Sequence, residues 1–141
     1  MEKTDTLADT GLIVGLLHKG DQHHNWAKQQ FDRVSAPLFT CEAVLSEAFH
    51  LLEPVPTGTE RLLSVLDRGI FDLSFSYLQH ANRIHDLVRT YADQPMSFAD
   101  ACLVRMAEGR RAPSVVTTDD DFRVYRTAGD EPLDVRLPTG K

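Results

Sequence analysis

The chain has 141 residues, the length of one domain, and its 42% hydrophobic and 26% charged content suits a globular protein with a real core. A net charge of −6, from 15 Lys+Arg against 21 Asp+Glu, excludes holding a polyanion by bulk charge alone. No apolar stretch nears the roughly 20 residues that cross a bilayer, the polar start Met1-Glu2-Lys3-Thr4-Asp5 is no secretory signal, and two distant cysteines, Cys41 and Cys102, argue against a disulfide scaffold or a thiolate zinc site.

In chain order, Leu7-Ala8 leading to Asp9 reads as the end of a first strand, and Gly11 to Leu17 as an apolar helix. Trp26, Ala27, Phe31 and Val34 give Asp21 to Val34 helical spacing. Pro37 to Thr40 is a short strand, with Thr40 as N-cap of a helix over 42–52 that Pro54 and Pro56 end. Gly58 to Arg68 is a helix closed by Gly69, and Ile70 to Phe75 alternates as a strand does. Tyr77 to Tyr91 is helical, and Ser97 caps a helix running to Glu108. Ser114 to Thr117 is a β-branched strand, Asp119 to Arg126 starts a short helix, and Leu133-Asp134-Val135 is a last edge strand. Strands alternating with helices imply βαβ units, a mainly parallel central sheet and a three-layer α/β/α sandwich in one domain over 1–141. In such sheets the functional crevice opens at the carboxyl ends of the strands, where Asp9 and Asp119 fall.

Four acids stand where acids are hard to explain: Asp9, Glu47, Asp100 and Asp119. Asp9 and Asp119 close apolar strands. Asp100 shares a helix face with Leu103, Val104 and Ala107, and Glu47 borders a stripe of Val44, Ala48 and Leu51. Carboxylates in such places cost folding free energy unless compensated, and a divalent cation that handles phosphate would compensate them. Purely structural accounts exist for three of them. Glu47 can be a solvated edge residue. Ser97-x-x-Asp100 fits a capping box, as does Thr118-x-x-Asp121, and Asp119, Asp120 and Asp121 together favour a helix N-terminus.

Other chemistries fit less well. Asp9-Thr10-Gly11 matches an aspartic-protease triplet, but there is one copy and it precedes a helix. A haloacid-dehalogenase phosphatase wants a second acid two residues on, where this chain has Gly11. Glu47-x-x-His50 lacks the second copy that a di-iron helix pair requires. No phosphate-loop, nucleophile-elbow or dinucleotide motif occurs.

The segments Leu7-Ala8-Asp9-Thr10-Gly11-Leu12-Ile13-Val14, Asp21-x-x-His24, Val44-Leu45-Ser46-Glu47-Ala48, Tyr91 to Ala101 and Val116 to Phe122 together resemble a PIN-domain ribonuclease, most closely a VapC-type toxin of a toxin–antitoxin pair. The resemblance covers nearly the whole chain. It implies a metal-dependent endoribonuclease with Asp9, Glu47, Asp100 and Asp119 as catalytic acids, the first, third and fourth holding Mg²⁺ or Mn²⁺. Thr10, Thr117 and Asp121 would support them. Ser97 departs from the pattern, since many relatives carry an acid there, and Asp93 recurs in relatives without an assigned role. The resemblance further implies a homodimer, an RNA substrate, and an antitoxin whose peptide fills the active-site groove, while the sparse cysteines point to a reducing cytoplasm.

In a chain of this charge, phosphate contacts need local cations, and Arg123 and Arg126 after the Asp119 turn are the candidates. Arg105, Arg110 and Arg111 read better as a solvated helix face. The competing reading is a non-catalytic PIN-like module that binds RNA or associates with protein.

Overall fold

The computed structural model describes residues 4–138. The strands are β1 (Asp5–Ala8), β2 (Leu38–Phe39), β3 (Phe71–Asp72), β4 (Pro113–Val116) and β5 (Val135–Arg136). The helices are α1 (Thr10–Leu17), α2 (His24–Arg33), α3 (Glu42–Leu52), α4 (Gly58–Asp67), α5 (Tyr77–Thr90) and α6 (Phe98–Glu108). A short 3-10 turn covers Asp120–Arg123.

All five strands are parallel, in the order β3-β2-β1-β4-β5. Buried β-branched and apolar residues form the centre, with Leu7 opposite Val115 and Ala8 opposite Val116. From β1 the chain steps outward twice, through α1 and α2 to β2 and through α3 and α4 to β3. It then returns through α5 and α6 to β4, on the other side of β1. Right-handed crossovers running in opposite directions put their helices on opposite faces of the sheet. Accordingly α1 packs on α2 and α3, while α5 packs on α6. The order reverses between β1 and β4, and at such a switch point the strand ends splay into a crevice.

Several boundaries differ from the sequence expectations. Thr40 does not cap α3; its hydroxyl donates to the Ala8 carbonyl at 2.8 Å, and Cys41 holds the cap position. The buried stripe of α3 is Val44, Ala48 and Leu52, because strict four-residue steps follow the contact face, and Leu51 is half exposed. The alternating run 70–75 pairs only at Phe71 and Asp72, since Ser74 turns back to bond the Asp72 carboxylate. The last strand begins two residues later than expected and ends at Arg136. The segment after Asp119 is a single 3-10 turn, and its cap is Asp119 rather than Thr118. Cys41 and Cys102, far apart in the chain, are both buried and free. A hydrogen bond between the two thiols lowers the Cys41 pKa.

Candidate active site

Asp9 ends β1 and caps α1. Its backbone N–H continues the ladder by donating to the Val116 carbonyl at 3.1 Å, and its Oδ1 accepts from the Thr10 N–H at 2.8 Å. Oδ2 accepts from the Thr117 hydroxyl at 2.6 Å. That hydroxyl in turn accepts from the Asp119 N–H at 2.9 Å. One buried threonine thus ties the acid at the end of β1 to the acid beyond β4. Close approach is possible because residue 11 is glycine: a Cβ there would come within 2.0 Å of the Thr118 Oγ1 and 3.0 Å of its Cβ.

Asp100 enters from α6. Ser97 and Asp100 form the expected capping box, with the Asp100 N–H donating to Ser97 Oγ at 3.0 Å and the Ser97 N–H to Asp100 Oδ2 at 3.2 Å. The same Oδ2 accepts from the hydroxyl of Tyr125 at 3.0 Å. Asp9 and Asp100 are both only 6% exposed. Glu47 is exposed rather than set among apolar neighbours, and it joins the group through Thr10, whose hydroxyl donates to its Oε1 at 2.7 Å. Asp119 is half buried and accepts from the Asp121 N–H at 2.9 Å.

The electrostatics follow from this crowding. Burial pushes the Asp9 carboxyl up to about 6, against the hydrogen bonds from Thr117 and Thr10, with the charges of Asp100 and Glu47 adding to the rise. Burial also raises Asp100, with Asp119 contributing, and burial and Asp119 raise Asp121. Such a set resists full ionisation until a cation joins it. Among the described residues, one set of three acids, Asp119, Asp120 and Asp121, brings a carboxylate oxygen from each within 4.8 Å of the others. Asp9 and Asp100 fall outside that tight group; Asp100 feels the charge of Asp119 and acts on Asp121, while Asp9 feels Asp100 and Glu47. The donors are carboxylate oxygens with no cysteine or imidazole among them, which suits Mg²⁺ or Mn²⁺ better than soft metals.

The arginines divide. Arg105 bonds Glu108 and His80; Arg110 reaches Asp5 at 3.5 Å and stands 3.6 Å over the Phe39 ring. Arg126 turns its guanidinium onto the carbonyls of Arg123, Val124 and Tyr125, closing its own turn. Arg123 is exposed beside the acids. A recess of about 510 Å³ between α6 and residues 127–134 is lined by none of the four acids.

A family model for the PIN domain matches residues 6–128. The chain belongs to the PIN-domain family. Among solved structures, VapC20 of Mycobacterium tuberculosis, a sarcin-ricin loop cleaving toxin, is similar with a TM-score of 0.73. The two share 17% identity, over 85% of this chain and 94% of that one. A search of curated proteins finds no significant match. The PIN fold accounts for the all-parallel sheet and for the acids gathering between β1 and β4.

One site residue escaped the sequence. Tyr125 shares a three-residue spacing with Phe122, which marks a buried face, but its bond to Asp100 spans 25 positions and has no local signature.

Proposed function

We propose that this chain is a divalent-metal-dependent endoribonuclease and the toxin of a toxin–antitoxin pair. The observation that carries the reading is the convergence of Asp9, Glu47, Asp100 and Asp119 at the switch point of a PIN domain, two of them buried and electrostatically strained. Asp9, Asp100 and Asp119 would hold Mg²⁺ or Mn²⁺, with Asp121 beside them. Bound there, the ion would make a water more acidic and neutralise charge on the scissile phosphate.

The chain's own residues supply the rest. Glu47, exposed and held by Thr10, accepts the proton of the attacking water. Thr117 fixes Asp9 relative to the Asp119 turn, and since Asp9 and Asp100 stand outside the tight Asp119–Asp121 group, part of the set would reach the ion through water. Arg123 is the better phosphate contact of the two candidates. Arg126 shapes the turn, and only its remaining donors can serve RNA.

VapC20 cleaves the sarcin-ricin loop, and a structured ribosomal hairpin is therefore the first substrate to try. The partners are RNA, an antitoxin protein and a second copy of the chain, and the compartment is the cytoplasm. Among the described residues no helix is long and apolar enough to cross a membrane.

The test is cleavage of total bacterial RNA with Mg²⁺, with Mn²⁺ and with EDTA, beside Asp100→Asn. Discrete fragments that need metal and vanish in the variant are expected. Fragments unaffected by the substitution would sink the assignment. Metal binding without any cleavage, over a broad panel of RNAs, would favour a binding module instead.

A further inference from the structure

Asp100 is gripped twice on one oxygen. The Ser97 N–H belongs to the helix cap, and caps of this kind occur wherever helices start. The second donor, Tyr125, comes from beyond the Asp119 turn, and its side chain is completely buried. Its ring sits among aromatic edges, 5.2 Å from both Tyr91 and Phe122. Tyr91 in turn uses its hydroxyl to accept the Arg126 N–H at 2.8 Å, which pins the backbone just past Tyr125. A phenylalanine would fill the same hydrocarbon space. The ring alone therefore explains the packing, and the hydroxyl needs another reason.

We infer that Tyr125 is a positioning residue for the metal-dependent cleavage proposed above, holding Oδ2 of Asp100 so that Oδ1 is the oxygen presented to the cation. The inference rests on that nuclease reading. Tyr125 also lies six positions after Asp119, just past the 3-10 turn that Asp119 caps, so the same bond ties Asp100 to the segment that carries Asp119. Outer partners of this type orient metal-bound carboxylates, and their removal commonly costs roughly 10–100-fold in metal affinity.

The experiment compares the wild-type chain with Tyr125→Phe, Tyr91→Phe and Asp100→Asn. Mn²⁺ binding is followed by electron paramagnetic resonance of the free ion, together with melting temperature and the Mn²⁺ dependence of RNA cleavage. Tyr125→Phe should weaken Mn²⁺ binding about tenfold or more and move half-maximal cleavage to correspondingly higher Mn²⁺, with most of the rate recovered at saturation. Tyr91→Phe keeps the ring, removes the hydroxyl that holds the Arg126 N–H without touching Asp100, and should leave Mn²⁺ affinity within about twofold, well short of that expected loss. Equal losses in the two tyrosine variants, unchanged affinity in Tyr125→Phe, or collapse of its fold would each overturn the inference and assign the hydroxyl to stability. Wild-type Mn²⁺ affinity in Asp100→Asn would instead remove the metal reading beneath it.

Discussion

At the scale of single residues, Asp9 carries the largest electrostatic cost and therefore the clearest test. Its carboxyl stands at about 6 in the folded chain against an ordinary 3.8. A raised carboxyl pKa means that the folded state binds the proton more tightly than the unfolded chain. The stability it contributes is complete below 3.8 and is lost as pH rises through about 6. Above that range the metal-free protein carries a penalty of up to about 3 kcal/mol. Asp9→Asn should therefore melt higher than wild type at neutral pH without metal, the gap closing at about pH 4. Added Mg²⁺ should raise the melting temperature of the wild type and not of the variant. Scanning calorimetry across pH, with and without metal, reads both effects. Equal melting at neutral pH would mean that Asp9 is structural.

Among the elements, α6 does the most to build the site. It is buried along nearly its whole length, so its register cannot slide, and its first turn delivers Asp100 to the crevice. Ser97→Ala removes the hydroxyl half of the capping box and should cost about 1 kcal/mol, or roughly 3–5 °C in melting temperature. Ser97→Asp keeps an N-cap acceptor and should melt near wild type. Thermal denaturation of the two variants side by side separates the cap from the site, and a loss in both would assign position 97 to something other than capping. The box was legible because it is local: three residues of spacing determine it. The capping of α3 differs for the opposite reason: the Thr40 hydroxyl has a partner at the end of β1, which neighbouring residues could not reveal. The turn after Asp119 is a choice between two local caps, and the Asp119 carboxylate, accepting from the Asp121 N–H, takes the place expected of Thr118.

Across the molecule, the helical layer on the return path is locked to the far end of the sheet by one acid. Glu108 accepts from Arg83 at 2.6 Å, from Arg105 at 3.3 Å and from the Ala128 N–H at 2.7 Å, joining α5, α6 and the loop before β5. Its side chain is 5% exposed. Burial works to raise its pKa, but the Arg83 bond and charge outweigh it and hold the carboxyl below the usual value. Its contribution is thus present above about pH 4.5 and is lost as the pH falls. Glu108→Gln should destabilise the fold by about 3 kcal/mol, since it leaves Arg83 without its counter-charge. Cleavage per folded molecule at low temperature should be unchanged, because no acid of the site touches Glu108. Urea unfolding and a cleavage assay check the two halves, and lost activity in folded protein would show that this clasp reaches the site.

By itself the sequence determined the alternation of strands and helices, the parallel sheet, the Ser97 cap and the identity of the four acids. Those properties follow from local periodicity, from capping chemistry and, for Asp9 and Asp100, from charges placed at apolar positions. Tertiary structure alone decided that Glu47 is exposed and tethered by Thr10, that Thr117 bridges Asp9 to the Asp119 turn, and that Tyr125 grips Asp100. The physical reason is range. Hydrogen bonds that span 25 to 108 positions depend on which strand ends meet at the switch point, and no window of sequence contains both partners.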